Sequence, residues 1–422
     1  MKASYKVAKS SDELLNFLDM TARESQYSLE RIPIAEQAEW TFSDSGITHK
    51  SGGFFSVCGV SDRDKVSDSR LMLYQPQSAL TGLILYRSEH GTLVLLQARV
   101  EPGNTNVIQY GPTIQSTPAN YLRLHGGKAT SYVENFTEYL SGTNLLTHSM
   151  QLDLACRYFQ KSKTHHYLEV DTPISTLENM VWASLPAISG LLKSDNVLNA
   201  DLRSLLSVFD WTAFENSLES EDTAVQSDHF RAAPQLQLGR FRLNSLEELE
   251  DWQKDEYGIS SEKYGTGVSM YRFGCTNREV KTWSQPLFTV KDEGAAQLLM
   301  RHENSTTEFL VTIDTEPGLS TSNAFYPSYL SSPAAKSIIG KKCERISNSP
   351  RLLQCDEGGR FHQNNTSYEL IEGCGDFEYE DNQLWISSAA LRGVLRDSNR
   401  ASFPLRCAAS MVLDSLHQTW KC

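Results

Sequence analysis

The sequence predicts an α/β chain of the α+β kind, in which one mixed-sheet module with flanking helices is used twice in tandem. Three observations carry that expectation. The stretch from Arg157 to Arg203 recurs from Arg360 to Arg406: Trp182 lies 25 positions after Arg157 and 21 before Arg203, and Trp385 stands in the same relation to Arg360 and Arg406. Ser184, Gly190, Leu192, Asn196, Leu202 and Ser207 meet Ser387, Gly393, Leu395, Asn399, Leu405 and Ser410 at the same offset of 203 residues, a register that chance does not hold. Upstream, each copy carries an alternating apolar pattern broken by turn residues, the mark of a β-hairpin. Downstream, each copy ends in stretches with helical spacing, the first behind a serine cap. The boundaries that follow are a first module over 1–211, a linker over 212–238 and a second module over 239–422.

Taken in order, Ser10 to Glu13 reads as a capping box leading into a helix with Leu14, Leu15, Phe17 and Leu18. Ser245 to Glu248 reads as its second-copy counterpart, leading into Leu249 and Trp252. Residues 46–60 (GITHKSGGFFSVCGV) are glycine-rich and then β-like; the Phe54–Phe55 pair is either core or a platform for a ligand. Strands are expected over 80–87 and 92–104, and again near 296–301 and 308–318. Alternation puts Gln97, Arg99 and Glu101 on one face, and Thr312, Asp314 and Glu316 on one face. A charged strand end followed by Pro-Gly is either a solvated edge or the lining of a pocket. The segment 110–128 is dense in hydroxyls, amides and glycine, and its counterpart over 325–337 is degraded. Ser184 caps a helix with Pro186 in its first turn, and Leu202, Leu205, Leu206 and Phe209 keep helical spacing beyond it, as Leu405, Ala408, Ala409 and Val412 do later. Trp182 and Trp385 are expected to pack in the core. The acidic stretch 212–238 has no period and reads as a linker.

The totals bound the function. A chain of 422 residues is long for one core, and roughly 150 residues per domain gives two or three. A formal charge of −13 argues against nucleic acid as partner, since a phosphate backbone calls for a basic face, yet one or two arginines suffice for a nucleotide. No apolar run approaches the ~20 residues that span a bilayer, and MKASYKVAKSSDELL lacks the apolar stretch of a signal peptide. Eight scattered cysteines with no CxxC read as reduced thiols of a cytoplasmic protein, and no zinc site is expected.

With GITHKSGGFFSVCGV, the QP…EPGN pair, GPTIQSTPANY, LNADLRSLLS and DEGGRF together, the chain resembles the NDP-hexose 2,3-dehydratases of deoxysugar biosynthesis, from about residue 10 to 415. The resemblance implies two Nudix-like modules per chain, a homodimer, and action on a dTDP-4-keto-6-deoxyhexose to give a 3,4-diketo-2,6-dideoxy sugar, with a ketoreductase acting next. The REXXEE box of true Nudix hydrolases is absent, so the likeness is of fold and brings no diphosphate hydrolysis with it. The chemistry asks for no redox cofactor or metal, and there is no GxGxxG signature. The hydrogen on C3 is α to the carbonyl; a base removes it, a donor near O4 steadies the enolate, and the C2 hydroxyl leaves with a proton.

On this basis Glu101, at the strand end of EPGN, is the foremost base or acid. Tyr110, Thr113, Gln115, Thr117, Asn120 and Tyr121 are expected to bond the sugar and the oxyanion, with Tyr110 and Gln115 closest to the chemistry. Arg157 and Arg360 are the candidates for the diphosphate; Arg203 and Arg406 are either structural or further contacts to it. His49 is either a second proton-transfer group or a satisfied turn histidine, and Phe54 and Glu357 complete the binding set. Two departures from the family pattern stand out. Where the family has SEQGSRF, the first copy reads LDLACRY over 152–158, and the second keeps DEGGRF with Cys355 for the serine but lacks the PTxQxT loop. The favoured explanation is one composite site per chain, taking the loop from the first copy and Glu357 and Arg360 from the second. The competing one is a divergent homologue that binds a nucleotide sugar without turning it over.

Overall fold

A computed structural model describes residues 5–64, 69–124, 126–138, 140–216, 234–303, 306–333, 337–344, 349–373, 377–417 and 420. The fold is mixed α/β, with four sheets and short helices. Two large sheets have eight strands each, and two small ones have five.

The two large sheets share one pattern of neighbours. In the first, Ala79–Ser88 and Gly91–Val100 form the expected hairpin. Ser162–Val170 runs parallel to one arm, and Met180–Ser184 antiparallel to the other. In the second, Gly294–Glu303 and Thr306–Asp314 form the hairpin, with Asn365–Glu372 and Gln383–Ser387 in the same two places. Backbone details repeat with them. Gln160 and Gln363 both have φ of 52°, and Asn196 and Asn399 have φ of 54° and 57°. Parallel bridges join Leu73 to Tyr158 and Phe288 to Phe361, and Tyr110 to Leu198 and Phe325 to Ala401.

Each small sheet borrows a strand from the other end of the chain. Tyr27–Arg31 pairs with Thr266–Cys275, and Phe241–Asn244 pairs with Ser56–Asp62. The interior is apolar and continuous across both halves. At its centre helix Ala200–Val208, capped by Asn199, packs on helix Phe403–Ala409, capped by Ser402. Leu202, Leu205 and Leu405 are fully buried there, each contributing about 1.5–3 kcal/mol. Trp182 is fully buried, as expected, while Trp385 is only partly covered, beneath the Arg301 guanidinium.

Two expectations about elements are corrected. The first helix spans Ser11–Glu24, with Ser10 Oγ accepting from the Glu13 N–H. Its proposed counterpart is only a 3₁₀ turn over Leu246–Glu248. There the Ser245 hydroxyl donates to the Glu248 carboxylate instead of capping the backbone, and Asp251, with φ of 64°, turns the chain away. The stretch 212–238 is not simply a linker where it is described. Residues 212–216 continue the helix Trp211–Asn216, with Phe214 buried, and Leu236 is buried beyond the gap; 217–233 lie outside the described residues. Among the described residues no helix is long and apolar enough to cross a membrane.

Candidate active site

A cavity of about 520 Å³ opens where the halves meet, within the size range of small-molecule sites. The alternation that put Arg99 and Glu101 on one face of Gly91–Val100 and its extension aims both into it. That settles the sequence ambiguity in favour of a pocket lining. The Pro102–Gly103 turn then clamps onto the loop 356–361 of the second half. Gly103 N–H donates to Gly358 O at 2.7 Å, and Gln363 N–H donates to Gly103 O at 2.7 Å. A Cβ on Gly103 would stand 1.6 Å from Phe361 O, so only glycine permits this approach. On its other side the loop is tied to the strand Thr282–Val290: Gln285 donates to Gly359 O at 2.7 Å, and Phe288 N–H donates to Arg360 O at 2.8 Å.

This clamp brings Glu101 and Glu357 to one space. A Cβ on Gly359 would lie 3.7 Å from Glu101 Oε1 and 3.4 Å from Glu357 Oε1, so the missing side chain leaves the gap between them open. Glu101 is 3% exposed and accepts from Arg99 Nε at 2.8 Å, with Arg278 Nη1 at 3.9 Å. Burial works against ionised Glu279, but Arg278 and Arg99 outweigh it and hold that carboxyl at about 2. Glu357 is bonded to Lys163 Nζ at 3.0 Å. Burial raises its pKa, and Lys163, Arg360 and Lys161 more than reverse this, so it stands below the usual range. Asp201, 2.8 Å from the same ammonium, is pushed up, chiefly by burial.

Among the described residues three buried side-chain atoms on the wall have no hydrogen-bond partner: Thr117 Oγ1, Arg360 Nε and Asp201 Oδ2. The Arg360 guanidinium lies over the Phe55 ring, 4.4 Å from its centroid. Unsatisfied buried donors facing a cavity are where a ligand regains hydrogen bonds. Trp40, Phe55, Phe54 and His49 form a cluster of rings beside them, with centroids 4.5–5.2 Å apart for the pairs His49–Phe54, Trp40–Phe55 and Trp40–His49.

Of the residues singled out in the sequence, Glu101, Gln115, Thr117, Asn120, His49, Phe54, Glu357 and Arg360 line this cavity. His49 Nδ1 is bonded to Ser51 Oγ at 2.7 Å, and burial lowers its pKa. Tyr110, Thr113, Tyr121 and Arg157 do not line it, and their placement is corrected. The Tyr110 hydroxyl donates to Leu14 O at 2.7 Å inside the core, because its strand residue points away from the face that carries Arg99. Thr113 donates to Leu95 O and accepts from Ile84 N–H, which locks the sheet. Tyr121 ends the short helix Pro118–Tyr121 and faces outside the cavity lining. Arg157 is buried beside Glu316, Asp356 and Cys156, at the other half's version of this junction. Arg203 and Arg406 are structural. Arg203 donates to Gln354, Leu192 O and Ser194 O, and Arg406 to Ser204, Ala401 O and Leu152 O.

The sequence reading missed Lys163, Asp201, Arg278 and Trp283 as lining residues. Lys163 had a signal: in Ser162–Val170 the inward face carries Lys163, His165 and Tyr167, and a buried lysine needs carboxylates. Arg278 had none, since it arrives from a hairpin turn of the other half. The described cysteines are buried. Among the described residues no cluster of three or more His, Cys, Asp or Glu is arranged to hold a metal.

Comparisons with known proteins give the family. The profile of the NDP-hexose 2,3-dehydratase family matches residues 11–209 and 227–412. Three relatives are each named dTDP-4-dehydro-6-deoxy-α-D-glucopyranose 2,3-dehydratase. The protein from Saccharopolyspora spinosa is 25% identical, over 94% of this chain and 89% of its own length. Those from Amycolatopsis orientalis and Streptomyces violaceoruber are 23% and 24% identical, over 92% and 82% of this chain and 86% and 84% of their own. With the family profile matched in both halves and its two matched stretches meeting at the cavity, the chain belongs to the NDP-hexose 2,3-dehydratase family.

Proposed function

We propose that the protein is a carbon–oxygen lyase that removes water across C2 and C3 of a dTDP-4-keto-6-deoxyhexose, giving a 3,4-diketo-2,6-dideoxy sugar nucleotide for deoxysugar biosynthesis. The observation that carries the reading is the composite cavity, where Glu101 from one half and Glu357 and Arg360 from the other reach one space. Glu101 is the proton-transfer group: it takes the C3 hydrogen, whose bonding pair moves toward C4 and O4. Expulsion of the C2 oxygen then forms the C2–C3 double bond, and that oxygen leaves as water with the same proton. The enol tautomerises, losing its O3 proton and gaining one at C2. Arg360 and Thr117 hold the nucleotide end, where their buried donors find partners. Gln115 and Asn120 bond the sugar, and His49 and Phe54 pack against the ligand.

The same reading takes the chain as a duplicated Nudix-like module, supported by the matching strand neighbours of the two large sheets, with the first module over 1–211 and the second over 239–422. It works as a homodimer in the cytoplasm, without a cofactor, and hands its reactive product to a ketoreductase. The test is to incubate the protein with dTDP-4-keto-6-deoxyglucose in deuterated water. Loss of water with deuterium entering C2 is expected. Binding without loss of water leaves a nucleotide-sugar-binding homologue instead.

A further inference from the structure

One lysine at the edge of this cavity is surrounded by carboxylates. Lys163 is 3% exposed, and its Nζ stands 2.8 Å from Asp201 Oδ1, 3.0 Å from Glu357 Oε2 and 3.4 Å from Asp153 Oδ2. The ammonium hydrogen-bonds Asp201 and Glu357 and pairs with Asp153 as an ion, so the charge is engaged by carboxylates and reaches a substrate through the outermost of them. Asp153 and Asp201 are buried, their side chains 1% and 2% exposed. Glu357 is the outermost, its side chain 14% exposed.

The two Glu357 oxygens are differently placed. Oε2 is tied to Lys163 and lies 3.5 Å from the Tyr158 hydroxyl. Among the described residues no donor bonds Oε1, the oxygen at the gap left by Gly359. It is an acceptor held ready by the salt bridge behind it. Around that gap the other acidic groups are Glu101, Glu279 and Asp201. Arg99, Arg278 and Arg360 stand among these carboxylates, but Glu357 Oε1 itself is an acceptor, which takes a hydroxyl donor and repels a phosphate oxygen. Hydroxyl groups on adjacent carbons of a hexose fit that wall, and a nucleoside diphosphate does not.

We propose that Lys163 is a positioning residue for sugar recognition: it fixes the Glu357 carboxylate so that Oε1 accepts a hydrogen bond from a hexose hydroxyl, which makes this wall select the sugar and not the nucleotide. The proposal rests on the assignment of a nucleotide-sugar substrate. It goes beyond it by placing sugar selectivity on a residue that touches no ligand. A site built to bond a hydroxyl discriminates strongly against an analogue that lacks it, because its own acceptor is then stranded.

The test is a split in affinity. dTDP and dTDP-glucose are titrated calorimetrically into the wild type, Lys163→Met and Glu357→Gln. Glu357→Gln keeps the other two partners of Lys163 and the side-chain shape, so it reports even if Lys163→Met fails to fold. The expected result is dTDP affinity within about twofold of wild type and dTDP-glucose affinity lowered about tenfold to 100-fold, the range for one hydrogen bond to a charged group. Equal losses for both ligands, or no loss for either, in Glu357→Gln overturn the proposal. Wild type that shows the split ligand affinities but no dehydration removes the catalytic assignment and leaves this one standing.

Discussion

Gly359 is the position at which the composite site is most sharply tested. In Gly359→Ala the new methyl would lie 3.4 Å from Glu357 Oε1, 4.0 Å from Glu357 Cγ and 3.7 Å from Glu101 Oε1. These are ordinary contacts, and Gly359 is not among the residues with positive φ, so alanine fits without moving the backbone. Folding stability should change by no more than about 0.5 kcal/mol, with a small gain from the stiffer unfolded chain. Activity has no such tolerance. The methyl occupies the space in which a substrate hydroxyl or the C3 hydrogen would meet either carboxylate. Loss of one hydrogen bond to a charged group is worth about 1.5–3 kcal/mol, which corresponds to roughly tenfold to 150-fold in kcat/KM. The assay follows dehydration of dTDP-4-keto-6-deoxyglucose by product chromatography, with thermal melting and dTDP titration as controls. An alanine variant with unchanged melting and wild-type kcat/KM would refute the idea that chemistry takes place between Glu101 and Glu357.

Three further outcomes follow from the same geometry. Glu101→Gln should lower turnover about 100-fold or more while dTDP affinity holds, and unchanged turnover would remove Glu101 from proton transfer. Gly103→Ala would set a Cβ 1.6 Å from Phe361 O and 2.8 Å from Gly358 O, both backbone atoms. A loss of at least about 1–3 kcal/mol in urea unfolding is expected, with activity falling beyond it as Glu357 and Arg360 shift. Glu316 is pushed up to about 7 by burial, against the Tyr326 hydroxyl, Arg157 and Arg70. A carboxyl raised on folding adds stability that is complete below its unfolded value, near 4.5, and is lost as pH climbs through 7. The ionised group therefore weighs roughly 3 kcal/mol against the fold. Glu316→Gln should flatten the decline in melting temperature between pH 5 and 8, and parallel curves for the two proteins would contradict it.

Much of the architecture was legible because it rests on local signals. Alternation and turn residues placed the first hairpin arm within a residue of Ala79–Ser88 and the start of the second within a residue of Gly91, though the second strand ends at Val100 and not at 104. Helical spacing marked the closing segment, which the structure breaks into Leu185–Ser189 and Ala200–Val208. The strand face of Arg99 and Glu101 was readable for the same reason. The exchange of Tyr27–Arg31 and Phe241–Asn244 between the small sheets was not, since a strand's partner is not written in its own pattern. Tyr110 and Thr113 show the limit on the other side. A polar residue in a rich polar loop looks like a ligand, and only the sheet register reveals that its hydroxyl is spent on Leu14 O or Leu95 O. Arg157 misled because a motif names a position in a loop, while the cavity is defined by what the facing half supplies.

The strand pairings make that last point concrete. Gly111 pairs with Gln97 in the first large sheet, and Tyr326 pairs with Thr312 at the matching step of the second. Gln115 opposite Thr81 corresponds to Leu330 opposite Ala296, and Lys163 opposite Ala79 to Thr366 opposite Gly294. At these steps the second sheet has bulk for an open position, an apolar side chain for an amide, and a neutral hydroxyl for a charge. The Tyr326 hydroxyl donates to Glu316 at 3.0 Å, and Cys156 occupies the register position of Gly359. Glu316 is thereby 2% exposed, without the arginine that Glu101 has in Arg99, since Asp314 stands in that place. Two carboxylates in equivalent settings thus diverge through their neighbours. One is braced by a guanidinium and faces a cavity, and the other is walled in and driven toward its neutral form. The EPG motif occurs in both halves and cannot distinguish them. What distinguishes them is whether position 359 or its mate leaves room, and whether a lysine stands where Lys163 does.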